Sequence, residues 1–253
     1  MKRAIAIRGI TIGEGPPKIC VPLVGRTSME IVEQARAVKE LHPDIVEWRV
    51  DFFADINNTN KVLEILRNIR SILEDIPLIF TCRSAKEGGE IELSPSDYMH
   101  VNNTVIESNA ADIIDIELFQ EEKLITTLLN KAHAKDIFVI ISNHDFTKTP
   151  TKEEIISRLC RAQELGADLP KIAVMPTCSA DVLTLMDATN TMFEQYADRP
   201  LITISMGAKG MITRLAGEVF GSALTFASAG QESAPGQIPI SDLRAVLALL
   251  HKN

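Results

Sequence analysis

The sequence predicts a single α/β domain over residues 1–253, a (β/α)8 TIM barrel with an N-terminal β-hairpin (residues 1–17) closing the barrel bottom. Three observations carry that reading. The chain has 253 residues, close to the usual length of such a barrel built on one core. Short apolar runs alternate with amphipathic stretches at a spacing of roughly 25–30 residues from residue 19 to the end, the pattern of parallel strands joined by helical crossovers. No GxGxxG follows the first strand-like run, which weakens the alternative of a doubly wound open sheet.

The elements follow in order. Ala4 to Ile7 and Ile10 to Ile12, separated by Arg8-Gly9, read as the hairpin. Strand-like Lys18 to Val24 leads to a helix over Ser28 to Leu41, with Ser28 as its cap and Glu30 and Glu33 near its positive end. Asp44 to Val50, Pro77 to Thr81, Asp112 to Glu117 and Ile137 to Ile141 are the next strands. The helices between them span Asn60 to Leu73, Pro95 to Asn109 and Glu121 to Ala134. A helix over Thr151 to Leu165 is opened by a Thr151/Glu154 capping box and stopped by Gly166. Lys171 to Val174 is a strand, Ala180 to Tyr196 a helix, and Pro200 to Ser205 a strand. A short helix to about Ala216, a last strand over Ser222 to Phe226, a loop over Ser233 to Gln237 and a helix over Ser241 to Leu250 complete the count.

The formal net charge of −8 disfavours nucleic acid and anionic membrane as partners while leaving room for a local basic pocket, so the expected partner is a small molecule. Cys20, Cys82, Cys160 and Cys178 show no CxxC or zinc spacing, and Cys20 and Cys82 read as buried free thiols. Reduced thiols, an apolar start broken early by Arg8 and no run long enough for a membrane helix point to a cytoplasmic protein.

In this fold chemistry sits at the C-terminal strand ends. Lys171 opens the apolar run Lys171-Ile172-Ala173-Val174. A buried ammonium is costly to desolvate, and an amine so placed is a candidate for Schiff-base chemistry; a lysine snorkelling out at the strand's start is the alternative. His144 follows an apolar strand at the start of a loop, where an imidazole suits proton abstraction and return. His42, His100, His133 and His251 read as surface or cap residues, and no HxH or HExxH is present, so no metal is expected. Glu47, Arg49 and Asp51 share one face of a strand by period two, and three charges pointing into a barrel are not packing. Arg83 ends the third strand and offers a carboxylate fork, and Glu87 can orient a histidine or anchor a loop. Asp115 and Glu117 are further alternating carboxylates. Arg214 reads equally as a surface helix arginine. Ser233 to Gln237 can donate to a ligand oxygen or form a plain turn.

At these residues the sequence resembles the type I 3-dehydroquinate dehydratases of the shikimate pathway. The matching strings are Glu47-Trp48-Arg49-Val50-Asp51, Arg83-Ser84-Ala85-Lys86-Glu87-Gly88-Gly89, Ile141-Ser142-Asn143-His144-Asp145-Phe146 and Gly166-Ala167-Asp168-Leu169-Pro170-Lys171-Ile172-Ala173. Downstream come Arg214-Leu215-Ala216-Gly217-Glu218-Val219-Phe220-Gly221-Ser222 and Ser233-Ala234-Pro235-Gly236-Gln237. The resemblance implies that Lys171 forms an imine with a ring ketone, that His144 moves the proton, and that Glu87 hydrogen-bonds the histidine. It implies that Arg214, with Ser233, Ala234 and Gln237, takes the substrate carboxylate. Glu47, Arg49 and Arg83 would meet ring hydroxyls, and Met206 and Phe226 would form apolar walls. It also implies a homodimer and no cofactor. One position departs: relatives with a first-strand serine place its hydroxyl near the substrate, and Pro22 cannot supply that contact. Two rivals are weighed against this. Another Schiff-base barrel, such as a class I aldolase, fits the residues read singly but not the strings. A silent scaffold barrel would have lost the lysine or the histidine.

Overall fold

The computed structural model describes residues 4–230 and 233–251; residues 1–3 of the predicted cap lie outside the described residues. β1 (Ile5–Ile7) and β2 (Ile10–Ile12) pair antiparallel, and Arg8 and Gly9 both take positive φ at the two-residue turn. Such a turn matches the natural twist of a hairpin, and glycine enters it without a Cβ penalty. The hairpin presents Ile5, Ile7 and Ile12 to the first inward residues of the barrel strands, among them Ile45, Ile79, Ile113 and Ile140. It plugs the bottom as expected.

The barrel runs through β3 (Lys18–Leu23), α1 (Ser28–Glu40), β4 (Ile45–Arg49), α2 (Thr59–Leu73), β5 (Leu78–Thr81), α3 (Pro95–Ser108), β6 (Ile113–Glu117) and α4 (Glu122–His133). It continues with β7 (Phe138–Asp145), α5 (Lys152–Glu164), β8 (Leu169–Val174), α6 (Ser179–Thr191) and β9 (Ile202–Ser205). Three one-turn helices follow, α7 (Gly207–Gly210), α8 (Ile212–Leu215) and α9 (Gly217–Phe220), then β10 (Leu224–Ser228), β11 (Ile238–Pro239) and α10 (Ile240–Leu250). β3 to β10 are parallel and pair in order, with β10 returning to β3. The seam between β9 and β10 is held by a bridge from Leu201 to Ser222 and by the Ala223 N–H on the Leu201 carbonyl.

Strand alternation divides the apolar residues in two. One set, with Val46, Trp48, Phe80, Ile114 and Val139, packs under the helices. The other, with Cys20, Ile79, Ile140, Leu169 and Ile202, fills the lower barrel. An aspartate before alternate strands stitches neighbours together: Asp44, Asp112 and Asp168 accept the N–H groups of Ile19, Leu78 and Val139.

Four local expectations are corrected. The cap of α1 is Thr27, not Ser28; Thr27 is extended, its hydroxyl accepts from the Glu30 N–H, and Glu30 reaches back to the Thr27 N–H. Thr151 does cap α5, but Glu154 turns to Arg158 in place of closing the box. β7 runs on through Asp145, so His144 lies within a strand. β8 begins at Leu169, so Lys171 is its third residue rather than its first. Pro170 does not bar the earlier start, because its fixed φ suits extended chain and its flanking residues continue the pairing with β7.

Candidate active site

Above the apolar floor, the inward positions of the middle strands turn polar. Register places Glu117, Ser142 and Lys171 side by side on β6, β7 and β8, and Thr81 beside Asp115. A lysine in mid-strand cannot reach solvent at the strand's start, and Lys171 is only 5% exposed. Its Nζ lies 3.1 Å from Asp115 Oδ2 and 4.7 Å from the centre of the Phe226 ring. The ammonium therefore has a counter-ion, which the bare argument from desolvation did not foresee. Arg83 sits on the other oxygen of the same carboxylate at 2.9 Å and donates to Ser142 Oγ (2.9 Å) and Glu117 Oε1 (3.2 Å). Burial alone would raise the Asp115 carboxyl, but Arg83, Lys171 and the Ser142 hydroxyl outweigh it and hold it at about 2.

Glu87 comes from the turn after β5, a single 3-10 turn over Ala85–Glu87. Its Oε2 accepts from the His144 backbone N–H (2.9 Å) and faces His144 Nδ1 at 3.0 Å, while its Oε1 accepts from Asn143 Nδ2 at 3.2 Å. Burial pushes the Glu87 carboxyl up to about 7; Arg83 opposes this, and Glu117 adds to it. Burial, then the cations Arg83, Lys171 and Arg49, hold the His144 imidazole well below its ordinary range. The histidine is thus neutral at rest. With Nδ1 committed to an ionised Glu87, Nδ1 carries the proton and Nε2 is left with a lone pair for a ligand.

Arg49 is gripped by Asp51 through two hydrogen bonds of 2.8 Å. Asp51 lies in the 3-10 turn after β4 rather than on the strand, and does not line the cavity. Arg49 also donates to the Ser233 carbonyl (3.3 Å), and Arg214 donates to the Pro235 carbonyl (3.1 Å), so two arginines hold the loop between β10 and β11 over the mouth. Within that loop Gln237 bonds Ser233 through both its amide atoms. Gly236 has φ +78°, and a Cβ there would meet the Gly207 carbonyl. Arg214 is buried, which removes the surface-helix alternative.

Twelve candidate residues line one cavity of about 460 Å³, open mouth included: Glu47, Arg49, Arg83, Glu87, His144 and Lys171, with Met206, Arg214, Phe226, Ser233, Ala234 and Gln237. Gly88, Phe146, Ala173 and Ile204 complete the wall, and none of them carries a site role in the sequence reading. Ala173 and Ile204 are inward positions of β8 and β9, so the period-two pattern could have found them. Asp115 was noted as a charge without a role, because its pairing with Lys171 joins residues far apart in sequence. Pro22 stands opposite Glu47 in register and is not among the residues lining the cavity. Among the described residues no group of three metal-ligating side chains occurs, and no helix is long and apolar enough to cross a membrane.

The arrangement joins a held amine, a neutral imidazole with a free Nε2 and a rim of arginines, a set suited to carbonyl and proton-transfer chemistry on a small oxygen-rich anion. Comparison with known proteins agrees in detail. The family model for type I 3-dehydroquinase matches residues 19–253. The 3-dehydroquinate dehydratase of Bacillus licheniformis is 56% identical over 253 residues, covering 100% of both chains. The crystal structure of type I 3-dehydroquinate dehydratase from Clostridium difficile with covalently modified comenic acid superposes with a TM-score of 0.97 at 55% identity, covering 100% of this chain and 99% of that one. The enzyme from Geobacillus kaustophilus gives 0.95 at 40% identity, over 99% and 98% of the two chains. The chain belongs to the type I 3-dehydroquinase family.

Proposed function

We propose that this chain removes water from 3-dehydroquinate to give 3-dehydroshikimate, the dehydration step of the shikimate pathway, through a Schiff base on Lys171. The observation that carries the reading is the placement of Lys171 and the His144–Glu87 pair on one cavity wall, inside a family match covering nearly the whole chain. A proton passes from Lys171 to His144 as the amine adds to the ring ketone, and it returns to the carbinolamine hydroxyl, which leaves as water to give an iminium. The iminium nitrogen forms beside Asp115, whose carboxylate balances its positive charge. The iminium withdraws electrons and acidifies the α-carbon. His144 Nε2 takes the α-proton, leaving an enamine, and Glu87 supports the imidazolium through Nδ1. The enamine expels the β-hydroxyl, which leaves as water with the proton returned by His144. Hydrolysis of the conjugated iminium frees product and Lys171.

Arg214 with Ser233, Ala234 and Gln237 takes the substrate carboxylate at the mouth. Glu47, Arg49 and Arg83, each already tied into the chain by hydrogen bonds, present fixed polar atoms to ring hydroxyls. Met206 and Phe226 form the apolar wall. We place the reaction in the cytoplasm and the working unit as a homodimer, on the family resemblance.

Two measurements test this. Incubation with 3-dehydroquinate is expected to generate the ultraviolet absorbance of a conjugated enone, which an aldolase would not produce. Borohydride added with substrate is expected to leave a stable adduct on Lys171; mass spectrometry placing the label on another residue would overturn the Schiff-base assignment.

A further inference from the structure

β7 points Ser142 and His144 into the barrel and Asn143 to its other face. Asn143 is nonetheless tied to the active site, because the turn carrying Glu87 folds over the top of β7 and brings Glu87 Oε1 within 3.2 Å of Asn143 Nδ2. The other end of the same amide, Oδ1, accepts from Arg158 NH1 at 2.8 Å. Arg158 belongs to α5, outside the barrel, and is itself held by Glu154 (2.8 Å) and by the Phe119 ring, 5.3 Å from its guanidinium carbon.

An amide can face a neighbour with its oxygen or its NH2. A guanidinium can only donate, so Arg158 dictates that Oδ1 faces it and that Nδ2 faces Glu87. We propose that Arg158 is a positioning residue for the His144–Glu87 pair: by fixing the amide of Asn143 it keeps an N–H donor on Glu87, and so holds the glutamate as the acceptor that keeps the proton of His144 on Nδ1. This deepens the proposed dehydration and rests on that reading.

The logic is electrostatic. An N–H donor on Oε1 favours the carboxylate, whereas an amide oxygen turned to the same atom would favour the protonated acid. A protonated Glu87 would donate to Nδ1, move the imidazole proton to Nε2 and remove the base. The other charged groups around Glu87 are Lys86 beside it in its turn, Arg83 two residues past β5, Glu117 from β6, Asp145 at the end of β7 and Lys171 across the cavity. Arg158 acts on it only through Asn143.

The experiment is the pH dependence of kcat/KM for 3-dehydroquinate in the wild type, Arg158→Ala and Arg158→Lys, with borohydride trapping on each. In the wild type the acidic limb is expected near 7, where Glu87 titrates. Arg158→Ala should move that limb up by about one pH unit, the scale of one lost charge-assisted hydrogen bond. Activity at pH 6 should fall about tenfold, while activity at pH 9 stays within about threefold and trapping persists. Arg158→Lys, which restores a donor, should return most of the limb. A wild-type limb near 7 with a superimposable Arg158→Ala profile would overturn the proposal, and so would a loss equal at every pH. A wild type that makes no enone would instead overturn the dehydration reading itself.

Discussion

At the scale of single residues, the site divides its work by environment. Lys171 and His144 are both buried. Lys171 has a carboxylate at 3.1 Å, whereas His144, with Glu87 at its Nδ1, is governed by burial and the cations Arg83, Lys171 and Arg49. The histidine rests as a neutral base. Replacing His144 by alanine should therefore leave imine formation possible and stop the later proton transfers. Turnover is expected to fall about 10²–10⁴-fold, with the borohydride adduct still forming on Lys171. Turnover within a few-fold of wild type would remove His144 from the proton path. Most of these identities were readable in advance, because Glu87, His144 and Lys171 stand in local strings whose chemistry is local. The pairing of Lys171 with Asp115 was not, since it is made across β7 between β6 and β8 and depends on strand order and register.

At the scale of elements, strand and helix order was legible from periodicity, while the ends were set by contacts that no window of sequence contains. β7 extends through His144 because β8 pairs with it as far as Asp145, and β8 in turn starts before Pro170. One turn has little freedom. Ser84 to Gly89 folds back so that the Gly89 N–H meets the Ser84 carbonyl at 2.8 Å, and this fold aims Glu87 at His144. A Cβ on Gly89 would stand 2.0 Å from the Arg83 carbonyl oxygen, a backbone atom that cannot step aside. As sequence, Gly88-Gly89 suits a flexible flap or an ordinary turn alike, and here its second member is required by close approach. Gly89→Ala should open the turn and displace Glu87. A misplacement of about 1 Å can cost on the order of 10²-fold in rate. We expect kcat to fall at least tenfold with the far-ultraviolet circular dichroism unchanged. A variant as active as wild type would show that Glu87 is aimed by other contacts.

For the whole molecule, the polar layer inside the barrel ties folding to pH in two opposed ways. Asp115 is held at about 2 inside the fold, below the ordinary carboxylate value of about 3.9, so its contribution is present above that value and is lost as pH falls towards 2. Glu87 is raised to about 7, so the native state keeps a proton that the unfolded chain releases near 4.3. Its contribution is present at pH 4 and is lost as pH rises through 7, a cost of roughly 3–4 kcal/mol above neutrality. The chain thus carries the glutamate proposed to support His144 at the expense of stability near neutrality, as sites that shift pKa values commonly do. Glu87→Gln has no charge to bury, but its NH2 group must face a donor, either Asn143 Nδ2 or a His144 N–H. Between pH 4 and pH 8 it should lose about 10 °C less in melting temperature than the wild type does, while losing most of its turnover. An equal loss in both proteins between pH 4 and pH 8 would mean that the ionised Glu87 carries no such penalty, and that its hydrogen bonds to Asn143 and His144 repay its burial in full.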